Sequence, residues 1–151
     1  MKKKSKGTII IIAVLLLVTA GAALLHLTSR TEVPEGVLLV EKDGIKIKIE
    51  TSVLTTKPVV GTIVNGKGEE IAIDSPGISL SKLLADAGVA VGEQVVVVAD
   101  DEYSAVITAA ELNDPDRVFL LVQEGKRPQL VVFGDPNSKR NVSGVIRLVV
   151  T

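Results

Sequence analysis

The chain has 151 residues, with 17 Lys plus Arg, 18 Asp plus Glu, one histidine and no cysteine. The absence of cysteine excludes disulfides, lipidation at a cysteine and thiolate metal sites, and His26 as sole imidazole puts Ser-His-Asp or Cys-His catalysis and His/Cys zinc sites out of reach of one chain. Five basic residues precede Thr31, so residues 31–151 carry 12 basic against 18 acidic groups, net −6, which offers no basic face to nucleic acid or to a broad anionic lipid surface.

Met1 to Gly7 carries Lys2, Lys3, Lys4 and Lys6, and Thr8 to Leu25 then runs 18 residues without a charge. As a helix, Thr8 to Leu27 would measure roughly 30 Å, the thickness of a bilayer's hydrocarbon core. The pattern predicts a cytoplasmic head at 1–7, a transmembrane signal-anchor at 8–27, a linker at 28–35 and an extracytoplasmic domain at 36–151. A cleaved secretory signal ending at Ala20-Gly21-Ala22 competes with the anchor, and the length of the apolar run favours the anchor. Either reading exports the same domain, single-pass at the cytoplasmic membrane if the segment is retained, secreted if it is cut.

Beyond the linker the apolar period is two. Val37-Leu38-Leu39-Val40 and Ile45 to Ile49 flank Lys42-Asp43-Gly44 as a hairpin, with Ile45, Ile47 and Ile49 on one face and Lys46, Lys48 and Glu50 on the other. Val59 to Val64 and Glu70 to Asp74 form a second hairpin across Asn65-Gly66-Lys67-Gly68. Ser75-Pro76-Gly77 is expected to break the sheet, and Ser79 to cap a helix that runs to Ala87 and stops at Gly88. Gln94 to Ala99 and Tyr103 to Thr108 are strands around the Asp100-Asp101-Glu102 turn. Thr108 caps a second short helix, Ala109 to Leu112, and strands follow at Val118 to Gln123, Gln129 to Phe133 and Val145 to Val150. The expected fold class is α+β, mainly β, with about nine strands and two short helices behind one N-terminal transmembrane helix.

The runs GISLSKLLADAGV, VVVVADDEYSAVITAAEL and RVFLLVQEGKRPQLVVFGDPNSKRNVSGVIRLVV, in this order, resemble the oxidoreductase molybdopterin-binding domain of the sulfite oxidase type, over roughly Val59 to Val150. In that family a helix of the form G-x-x-L-x-x-L-L-x-x-A-G precedes a strand ending in Asp-Gly-Tyr, and a late Gly-Pro-Leu-Arg-Leu-Val-Val strand closes the pterin site. The corresponding segments here are Gly77 to Gly88, Ala99 to Tyr103 and Gly144 to Val150. The resemblance implies the scaffold and a pterin-type cofactor. It does not imply molybdenum redox catalysis, because catalytic members ligate the metal through a cysteine that this chain lacks. Asp100-Asp101-Glu102-Tyr103 and Gly144-Val145-Ile146-Arg147 also depart from the family's motifs.

Three segments carry candidate chemistry. The loop with Asn137, Ser138, Lys139 and Arg140 sets cations among small polar donors, as an anionic group such as a phosphate requires, and Arg147 on the following strand could add a second cation. Its alternative is a solvated hairpin loop, within which Asn141-Val142-Ser143 also fits the N-glycosylation triplet. Asp100, Asp101 and Glu102 offer hard oxygen ligands for Ca²⁺, against an ordinary acidic turn. Tyr103 would gate a cleft or bind a ligand, against a place in the core. The expected function is a membrane-anchored extracytoplasmic binding or interaction module that is not an enzyme, with an envelope protein or redox protein as partner. The alternatives are a cofactor-binding subunit of a molybdopterin-dependent oxidoreductase, with Lys139 and Arg140 on the pterin phosphate, and a structural envelope module with no ligand.

Overall fold

The computed structural model describes residues 32–136 and 138–151. The chain divides into two units, Met1–Glu32 and Val33–Thr151. The described residues of the second form β1 (Val37–Lys42), β2 (Ile45–Glu50), β3 (Lys57–Val64), β4 (Glu70–Ser79), α1 (Leu80–Asp86), β5 (Gln94–Ala99), β6 (Ser104–Thr108), α2 (Ala109–Leu112), β7 (Val118–Leu121), β8 (Gln129–Val132) and β9 (Val145–Val150). Single 3₁₀ turns occupy Thr51–Val53 and Ser138–Arg140.

The expected fold class is corrected at its membrane element. Among the described residues no helix is long and apolar enough to cross a membrane; α1 has seven residues and α2 four. The segment Thr8 to Leu27, on which a transmembrane helix was expected, lies outside the described residues, as does the head at 1–7.

Five strands in the order β2-β1-β9-β5-β6 make the first sheet, and four in the order β3-β4-β7-β8 make the second. The β1–β2 hairpin turns on Asp43 and Gly44, both at positive φ (52° and 77°), the two-residue turn whose twist suits antiparallel strands. Ile47 faces Val40 and Ile49 faces Leu38 across it, so the alternating isoleucines extend the core side of β1. β9 then lies parallel to β1, with Leu39 beside Arg147, and antiparallel to β5 on its other edge.

In the second sheet, Ser75-Pro76-Gly77 does not end the strand. β4 runs ten residues through them, because Pro76 stands opposite Pro58 on β3 and its carbonyl accepts the Val122 N–H at 2.9 Å. A Cβ at Gly77 would lie 2.7 Å from the Leu120 carbonyl oxygen, so glycine is what lets β4 close on β7. Ser79 ends the strand and caps α1, its Oγ accepting from the Lys82 N–H at 3.3 Å. Leu80, Leu83 and Leu84 are the buried face of α1.

The β7–β8 ladder is buried on both sides. Val118, Leu120, Leu130 and Val132 join the main core, with Leu38, Val40, Val95, Val97, Leu148 and the leucines of α1. Phe119, Leu121 and Val131 point the other way, into a second cluster with Val59, Ile63 and Ile73 of the β3–β4 hairpin. β4 pairs with β7 only from Gly77 to Ser79, and the rest of the hairpin packs on the ladder's far face. There Phe133 meets Phe119 edge-on at 5.7 Å, and a Cβ at Gly61 would come within 2.5 Å of the Phe133 ring. Both faces being covered explains why β7 reads as an uninterrupted apolar run, Val-Phe-Leu-Leu.

Candidate functional site

Of the residues expected to hold an anion, Arg140 is the most firmly placed. Its Nη1 lies 2.6 Å from Glu111 Oε1 and its Nε donates to Asp135 Oδ2 at 2.6 Å. Glu111 is set by its own helix: Thr108 Oγ1 accepts the Glu111 N–H at 3.3 Å and Glu111 Oε2 accepts the Thr108 N–H at 3.0 Å, a reciprocal capping box. Burial opposes the Glu111 charge, but the Thr108 N–H and the Arg140 guanidinium outweigh it and hold the carboxyl below its ordinary 4.5. Burial likewise disfavours the Arg140 charge, and the hydrogen bonds it donates to Asp135 and Glu111 outweigh this, raising the group above its ordinary value.

This arrangement does not fit a pterin phosphate at Arg140. The guanidinium already faces two carboxylates, one of them, Asp135, with only 6% of its side chain exposed, and an incoming dianion would meet both negative charges. The rest of the loop divides. Asn137 lies outside the described residues, and Ser138 opens the 3₁₀ turn. Lys139 is exposed, and its carbonyl accepts the Tyr103 hydroxyl at 2.6 Å. Tyr103 is thus neither core nor free gate: 46% exposed, it props the turn at Lys139. Asn141 takes the Val132 N–H at 3.0 Å and reaches the Val64 carbonyl at 3.5 Å, so the amide of the glycosylation triplet is committed to joining β8 to the tip of β3. Arg147 extends toward Glu41 on β1, at 3.9 Å.

Asp100, Asp101 and Glu102, the expected Ca²⁺ ligands, lie on the turn between β5 and β6. Among the described residues no three carboxylates, histidines or cysteines group as metal ligands. Asp101 Oδ1 turns back to the Tyr103 N–H at 3.0 Å, Glu102 takes a left-handed φ of 71°, and Asp100 Oδ2 faces Arg127 Nε at 3.5 Å. The Asp100 N–H also donates to the Gly144 carbonyl at 2.9 Å.

The residue that sequence reasoning missed is Arg127. It lies in Glu124-Gly125-Lys126-Arg127-Pro128, which reads as a plain β7–β8 connection; its partners, the Val33 carbonyl (3.1 Å to Nη2) and Asp100, are distant in sequence. Its Nη1 is buried and has no hydrogen-bond partner among the described residues. Beside it a cavity of about 510 Å³ opens between Gly36, the Thr51–Thr56 segment, Pro76 and the 122–127 loop. A second cavity, of about 200 Å³, lies against Leu121, Gln129, Ser143 and Gly144. Gln123, Lys126 and Arg127 line both.

No family model matches the chain, and no curated protein matches it.

Proposed function

We propose that residues 33–151 form a non-catalytic binding module working outside the cytoplasm, with its ligand in the cavity walled by the Thr51–Thr56 segment, Pro76 and the 122–127 loop. The observation that carries this reading is the cavity itself. About 510 Å³ is the size of a small-molecule site, and the walls mix apolar surface from Leu54, Pro76 and Val122 with hydroxyl, amide and charged groups. Placement outside the cytoplasm rests on the four lysines before the uncharged run Thr8 to Leu25. A binding role rather than catalysis rests on a domain without imidazole or thiol, whose best-placed cation, Arg140, is held by carboxylates.

The oxidoreductase-subunit reading would put a pterin phosphate on Lys139 and Arg140, where Glu111 and Asp135 oppose it. The test is native mass spectrometry of the chain recovered from its own envelope, comparing wild type with Ser52→Trp, which fills the cavity mouth. A small-molecule adduct present in wild type and lost in Ser52→Trp supports the reading. An adduct indifferent to Ser52→Trp moves the site elsewhere, and no adduct in either protein leaves the structural envelope module. Protease digestion of spheroplasts tests the placement: a domain protected until the membrane is breached refutes it.

A further inference from the structure

We infer that the two cavities are compartments of one site for a small organic anion, its charged head in the smaller and its neutral body in the larger, anchored at Arg127. The inference rests on the reading of the cavity as a ligand site and adds the ligand's chemistry.

Charge is distributed unevenly between the compartments. The larger cavity is lined by Glu35 and Glu124 as well as Lys126 and Arg127, and by the apolar Leu54, Pro76 and Val122. The smaller has Lys126 and Arg127 on its wall and no carboxylate; the rest is Gln123, Gln129, Ser143, Gly144 and Leu121. Two cations among neutral amide and hydroxyl donors make a receptor for a carboxylate or phosphate head.

Arg127 is held in place for this task. Its Nη2 is fixed on the Val33 carbonyl at 3.1 Å, and its one facing carboxylate, Asp100, stands 3.5 Å from Nε with half its side chain in solvent. That leaves Nη1 as a buried donor with no partner among the described residues, and an unsatisfied buried donor is costly. Arg127 lines the smaller compartment with its side chain 24% exposed, and an anionic head there meets its positive charge. The contrast with Arg140, whose Nε and Nη1 are both spent on carboxylates, separates the two arginines by what their neighbours leave open.

The experiment is isothermal titration of the full chain with phenyl phosphate and with phenol, which share a body and differ in the head. Phenyl phosphate is expected to bind and phenol to bind at least about ten-fold more weakly, the difference shrinking as salt is raised. Arg127→Gln should cost phenyl phosphate about ten-fold or more in affinity, while Lys67→Gln, the same charge change at the exposed β3–β4 tip, leaves it unchanged. Because Arg127 also ties down Val33, a second variant leaves it intact: Ser143→Asp puts a carboxylate at an exposed wall position of the smaller compartment and should abolish binding of the phosphate. Equal binding of phenol and phenyl phosphate, lost in Ser52→Trp but not in Arg127→Gln or Ser143→Asp, would overturn the anion anchor and leave the cavity as a binding site. Binding of neither probe at millimolar concentration would overturn the inference, whatever the native adduct proves to be.

Discussion

Arg140 Nη1 and Glu111 Oε1 stand 2.6 Å apart, and through that contact one guanidinium fastens the 134–144 loop to α2 while its Nε fastens the loop's own start at Asp135. Removing it withdraws the cation from an almost wholly buried carboxylate. Arg140→Ala is therefore expected to lower unfolding stability by about 2–3 kcal/mol, read from the urea midpoint, and Arg140→Lys to recover only part, since an ammonium cannot fork between two carboxylates. A loss below about 0.5 kcal/mol would mean that solvent already satisfies the loop.

Acid should attack the same contact. The Glu111 carboxyl is depressed in the folded protein relative to its ordinary 4.5, so what it adds to stability is complete above about that pH and is lost as pH falls through the lower folded value. The thermal midpoint of wild type should fall below pH 4.5 more steeply than that of Glu111→Gln, which starts lower at pH 7. Parallel curves would show that other carboxylates govern the acid limb. The raised Arg140 group adds stability that is lost only at alkaline pH above its ordinary value, and so leaves this window untouched.

Thr108→Ala removes the hydroxyl that accepts the Glu111 N–H and should cost about 1 kcal/mol. Since Glu111 also carries Arg140, a double-mutant cycle of Thr108→Ala with Arg140→Ala should show coupling. Strict additivity would separate the cap from the ion pair.

Two glycines invite unequal costs for the same change. At Gly77 an added methyl meets the Leu120 carbonyl oxygen at 2.7 Å, a backbone atom fixed in the ladder, and Gly77→Ala should destabilise by about 2 kcal/mol or more. At Gly61 it meets the edge of the Phe133 ring, which is only partly buried and can tilt, so Gly61→Ala should cost less. Thermal midpoints in the reverse order would refute this account of how β4 closes on β7.

Much of the local structure was legible because local forces govern it. Alternation at Ile45, Ile47 and Ile49 revealed β2, and Asp43-Gly44 its turn. The Thr108 cap was legible as a threonine directly before Ala109 to Leu112, and folding adds the reciprocal bond with Glu111. Ser75-Pro76-Gly77 misled because turn-forming residues were judged by propensity, whereas pairing of Gly77 with Leu121 holds them extended. The site was less legible. Lys139 and Arg140 advertise charge, but the carboxylate that neutralises Arg140 from α2 becomes a neighbour only after folding. Arg127 carries no local signal, since the Val33 carbonyl and the two cavities exist only once the sheets are assembled.

β9 occupies the middle of the first sheet, between β1 and β5, although it follows both in the chain. Val145–Val150 is the strand that joins the β1–β2 hairpin to the β5–β6 hairpin. The first sheet is therefore closed only when β9 docks between them. Docking that strand pairs β1 with a segment more than a hundred residues away, and pairing at such sequence separation is expected to be slow.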